Sequence, residues 1–166
     1  MDENVLFMNV DGPAVGHRAL DALRKAHADD DIRLHEGAVI ARDAEGALDF
    51  PDAVDNTGSA RAFAVGGLIG GLLGILGGPL GIMIGFGAGG LIGGVRDARE
   101  ATAGNAALEM LAAEVPPGST VLVAQIEENG PDIVDDLLAP YGDVSTRYPA
   151  DRLREEVERA IAEGRP

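Results

Sequence analysis

The chain has 166 residues, no cysteine, and 28 acidic against 13 basic residues, for a formal net charge of −15. That charge repels phosphate backbones and argues against nucleic acid as a partner, while the missing cysteine excludes disulfides, thiolate metal sites and a cysteine nucleophile. The length suffices for one ordinary domain with a real core, or for a small domain and an appendage.

Met1-Asp2-Glu3-Asn4 is acidic and lacks the basic start of a secretory leader, which places the bulk of the chain in the cytoplasm. Val5–Val10 is a continuous apolar run, the pattern of a buried strand. Asp11-Gly12-Pro13 breaks it and opens a helix on which Val15, Ala19, Leu20, Leu23 and Ala26 recur at helical spacing. Asp29-Asp30-Asp31 ends that helix. Ile32–Arg42 reads as a strand, Asp43–Gly46 as a hairpin turn and Ala47–Phe50 as the returning strand. Pro51–Ser59 reads as a polar linker.

Between Arg61 and Arg96 lie 34 residues without a charge, 14 of them glycine. Gly66, Gly70 and Gly74 fall four apart, as do Gly81, Gly85, Gly89 and Gly93. Residues four apart share a helix face, so the spacing predicts helices with a smooth stripe for close backbone contact. Gly77-Gly78-Pro79 divides the stretch into arms of about 24 Å, short for a hydrocarbon core of about 30 Å. A hairpin is expected, with Arg61 and Arg96 at its base and Leu68, Leu72, Ile75, Ile84 and Leu91 on an apolar face toward lipid or neighbouring copies. A dozen helical glycines cost on the order of 10 kcal/mol relative to alanine, so such a hairpin needs partners. Gly85–Gly90 formally matches G-x-G-x-x-G, but the glycines continue regularly on both sides, as in a packing stripe rather than a dinucleotide site.

Beyond this insert, Asp97–Glu114 reads as a helix, Thr120–Ile126 as a strand, Pro131–Leu138 as a short helix and Asp143–Tyr148 as a strand. Asp151–Glu163 reads as a charged terminal helix with Leu153, Val157 and Ile161 toward the core. The segments VLFMNVDGPAVGHRALDAL and VLVAQIEENGPDIVDDLL share one order of features: strand, turn with proline, helix. The expected fold is therefore α+β: a ferredoxin-like split β-α-β sandwich, helices on one face, interrupted by the glycine-rich hairpin. Its parts are residues 1–60, the hairpin 61–96, and residues 97–166.

The insert GGLIGGLLGILGGPLG…GAGGLIGG, the opening strand and helix, Pro116–Leu122 and Leu138–Gly142 resemble a family of uncharacterised bacterial proteins, a domain of unknown function regarded as predicted membrane proteins. The resemblance implies membrane association and brings no activity, cofactor or catalytic residue.

Candidate chemistry is sparse. His17, His27 and His35 read as solvated surface residues, and Asp29-Asp30-Asp31 and Asp135-Asp136 lack the alternating spacing of a calcium loop. Ser119, Thr120, Ser145 and Thr146 have no histidine nearby in sequence and no nucleophile elbow. Tyr141 and Tyr148 read as packing residues, and Glu127-Glu128 follows an expected strand end. No enzyme motif, cofactor site or metal site is read. The leading expectation is a homo-oligomer at the cytoplasmic face of the cell membrane, its hairpin in the bilayer. A water-soluble ring, tube or shell with self-packed hairpins is the alternative, and a small-ligand sensor the third reading.

Overall fold

The apolar runs at Val5–Val10 and Thr120–Ile126 lie side by side at the centre of the sheet. In the computed structural model, which describes residues 2–56, 68, 69, 72, 113–142 and 144–163, the chain forms an α+β fold. Its elements are β1 (Asp2–Val10), α1 (Pro13–Ala28), β2 (Arg33–Arg42), β3 (Leu48–Asp55), β4 (Thr120–Glu128), α2 (Asp132–Leu138), β5 (Val144–Pro149) and α3 (Ala150–Glu163). The five strands are ordered β3-β2-β4-β1-β5, and every neighbouring pair is antiparallel. Strands β1 and β2 both oppose β4, so they run parallel to each other, and α1 makes the crossover between them.

Alternation along the strands, with both faces buried, explains why β1 and β4 read as apolar runs. Val5, Phe7, Ala38, Ile40, Val121 and Val123 line one face, packed with Ala150, Leu153 and Val157 of α3. Leu6, Met8, Val10, Val39, Leu122, Ala124 and Ile126 line the other, under α1 and α2. Both faces are covered, unlike the one-sided sandwich expected, because the central strands have no polar face to give to water. Each fully buried Leu, Val or Phe contributes about 1.5–3 kcal/mol of transfer free energy.

Two boundaries shift from the sequence reading. Strand β3 runs on to Asp55 instead of ending before Pro51. Its pairing with β2 skips register between Val39 and Ala41, opposite Phe50 and Pro51. A proline is tolerated at such an irregularity on an edge strand, where its missing N–H disrupts no ladder. Strand β4 likewise runs through Glu127 and Glu128, which pair with Glu3 and Asp2 of β1.

Helix α1 ends where the acidic cluster suggested. The Asp31 N–H donates to the Ala26 carbonyl at 2.9 Å and the Asp30 N–H to the His27 carbonyl at 3.1 Å. Asp30 takes the left-handed conformation this motif requires, with φ 60°. The helix also approaches β2 closely through glycine. A Cβ on Gly16 would sit 2.7 Å from Val39 Cγ1, and one on Gly37 would sit 2.9 Å from Leu20 Cδ1.

Candidate functional site

The chain leaves the sheet at the end of β3 and re-enters at the start of β4, and the described residues along the way are fastened to the sheet. At the exit, the Asn56 N–H donates to the His35 carbonyl at 2.8 Å, and its side-chain amide donates to the Leu34 carbonyl at 2.9 Å. Leu68, Ile69 and Leu72 are helical and buried against Val5, Phe7 and the rest of the α3-side core. The Ile69 N–H donates to the Glu36 carboxylate at 3.2 Å, and Glu36 is itself buried.

At re-entry, Glu114 accepts from the Thr146 hydroxyl at 2.6 Å and from the Tyr148 hydroxyl at 3.1 Å. Burial and the nearby Glu114 charge push the Tyr148 phenol above its ordinary pKa. The Tyr148 ring also meets Phe7 edge-on at 5.7 Å. Arg42 donates to the Val115 carbonyl at 2.9 Å, and burial draws its pKa below the usual arginine value despite the opposing effect of Asp43.

Leu68 and Leu72 were expected on an outward apolar face. They lie instead under the chain's own sheet, 5% and 1% exposed. Backbone register explains why: the α3-side face offers Val5, Phe7, Ala38 and Val123 as apolar surface that α3 shares with this segment. The other expected packing residues, Gly66, Gly70, Gly74, Ile75, Gly81, Ile84, Gly85, Gly89, Leu91 and Gly93, lie outside the described residues, as do Arg61 and Arg96. So does most of the expected helix 97–114. Leu153 and Val157 are buried as expected, and Ile161 lies outside the described side chains. Among the described residues, no helix is long and apolar enough to cross a membrane.

Three charged clusters surround this framework, and two of them engage histidines that read as solvated surface. On α1 and β3, Arg24 grips Asp52 with both terminal nitrogens, at 3.0 and 2.8 Å, while His17 Nδ1 lies 2.6 Å from the same carboxylate. Burial pushes the Asp52 carboxyl up, but the Arg24 and His17 hydrogen bonds outweigh it and hold it below the ordinary carboxylate range. Under α2, Arg147 binds the buried Glu128 at 2.7 Å and Asp135 at 2.9 Å. Burial lowers the Arg147 pKa, yet these two carboxylates leave it raised.

The third cluster spans β1, β2 and β4. His35 Nε2 lies 3.1 Å from Glu127 Oε1 and 3.5 Å from Glu3 Oε1. Register between β2 and β4 skips at His35, a bulge that turns its ring toward the Glu3–Glu127 pair. Gln125 holds Glu3 by donating its side-chain amide to Oε1 at 3.0 Å. The remaining histidine, His27, accepts the Leu34 N–H on Nδ1 at 3.0 Å.

Elsewhere, Pro13, Arg42, Asp43, Asp49 and Ser119 border an open depression of about 300 Å³. The Ser119 hydroxyl there donates to the Pro116 carbonyl at 2.6 Å, a local turn contact. No protein-family model, curated protein or solved structure matches the chain.

Proposed function

We propose that the protein is a non-enzymatic homo-oligomer that assembles through its glycine-rich insert. The sheet order β2-β4-β1-β5, with β3 added at the edge, fits two β-α-β halves of a ferredoxin-like sandwich. On this reading the insert joins the two halves. The burial of Leu68, Ile69 and Leu72 on the α3-side face carries the proposal. These three residues are covered by the chain's own sheet, which fastens this part of the insert to its domain and supports assembly over insertion in lipid.

The glycines at four-residue spacing from Gly81 to Gly93 then form the seam between copies, with Ile84 and Leu91 needing cover. A charge of −15 keeps a large particle soluble and opposes an anionic bilayer surface.

A bilayer-bound form is the second reading. It is supported by Arg61 and Arg96 flanking the uncharged run and by the resemblance to predicted membrane proteins. Gentle lysis without detergent separates the two. Recovery as a discrete homo-oligomer in the high-speed supernatant is expected, whereas recovery from the pellet only after detergent extraction establishes the bilayer reading instead.

A further inference from the structure

We propose that Glu3, His35 and Glu127 form a binding site for one divalent transition-metal ion, of the kind that accepts both imidazole and carboxylate ligands. The three donor atoms lie within 4.8 Å of one another and come from three strands. They converge because Glu3 and Glu127 are direct cross-strand partners and the bulge in β2 brings His35 over them.

Two carboxylates facing each other across an antiparallel pair repel, so a cation between them relieves the pair beyond what the Gln125 amide on Glu3 does. Arg33 supplies little: its Nη1 is 3.9 Å from the far oxygen of Glu127, and its side chain is 63% exposed. His35 supplies no full answer either, because Nε2 carries at most one proton and faces two carboxylate oxygens. A metal ion satisfies all three atoms at once.

The spacing suits a small ion. Ligand bonds of about 2.0–2.1 Å in a tetrahedral shell set donor atoms about 3.3 Å apart. The observed separations from His35 Nε2 are 3.1 and 3.5 Å. Imidazole favours Zn²⁺ and its first-row neighbours over Ca²⁺ or Mg²⁺, which prefer all-oxygen shells. Gln125, donating to Glu3, provides an outer hydrogen bond that orients one of these ligands. The ligands are each about one-quarter to one-third exposed, so the fourth position opens to water.

The other histidine cluster lacks this opening. Asp52 there already accepts both terminal nitrogens of Arg24, and a second cation beside that guanidinium would be repelled. The site also adjoins the exit of the insert, since Asn56 holds the backbone of Leu34 and His35. A bound ion would pin the ends of β1, β2 and β4 where the insert departs.

The test is calorimetric titration of the chelator-treated full-length protein with ZnCl₂, repeated with His35→Ala, Glu127→Gln and His17→Ala. One Zn²⁺ per chain is expected, with at least about tenfold weaker binding for the His35 and Glu127 variants and unchanged binding for His17→Ala. Co²⁺ loading should give visible ligand-field bands that His35→Ala abolishes. Glu127→Gln is nearly isosteric, and circular dichroism checks that each variant is folded. No saturable Zn²⁺ binding by the parent protein, or equal binding by folded His35→Ala, overturns the proposal.

Discussion

The Ile69 N–H donates to the buried Glu36 carboxylate at 3.2 Å, joining the glycine-rich insert to the middle of β2. Beside this bond Leu72 is 1% exposed, packed into the same core as Phe7 and Val123. Truncating Leu72 to alanine should therefore cost about 2–5 kcal/mol in denaturant unfolding, measured against the parent at equal protein concentration. A segment lying in lipid, away from the sheet, would leave the domain's unfolding unchanged on the same substitution.

Asp52 links β3 to α1 through Arg24 and His17, and the bonds hold its carboxyl below its unfolded pKa. A depressed folded pKa stabilises the protein fully above the unfolded value, near 3.9, and that contribution fades as pH falls through the lower folded value. Asp52→Asn should lower stability by about 1–2 kcal/mol at neutral pH. The gap between variant and parent should narrow below about pH 4. Urea unfolding at pH 7 and at pH 3 reads both effects, and a constant gap would show that the carboxylate charge is not involved.

Glu128 is 2% exposed and faces Arg147. Removing the cation leaves a buried carboxylate uncompensated, so Arg147→Met should destabilise by about 3 kcal/mol or more. Adding Glu128→Gln to that variant should recover part of the loss, because the residual group no longer carries charge. Thermal melts of the parent, both single variants and the double variant measure this. A double variant no more stable than Arg147→Met would assign the loss to packing of the arginine stem.

Much of the architecture was legible because local pattern and tertiary packing agree. Val5–Val10 and Thr120–Ile126 lack polar alternation, and both became strands buried on two faces. Leu153 and Val157, four apart on a charged helix, both reached the core. Pro51 misled because proline signals a break, while an edge strand with a register skip accommodates it. The Glu3–His35–Glu127 cluster was illegible for a different reason. His35 and Glu127 are 92 positions apart, and only strand register and the bulge at His35 bring them together. The burial of Leu68 and Leu72 was hidden for a similar reason, since spacing along the insert defines a face without saying what covers it.

Association through the glycine seam is tested most directly by mass in solution. Detergent-free size-exclusion chromatography with light scattering, on the parent and on Gly85→Leu/Gly89→Leu, compares the proposed seam with one obstructed by leucine. A discrete oligomer for the parent and a shift of the double variant toward the 17.1 kDa single-chain mass are predicted. A parent that elutes at the single-chain mass, or an oligomer that the double variant leaves intact, would contradict it.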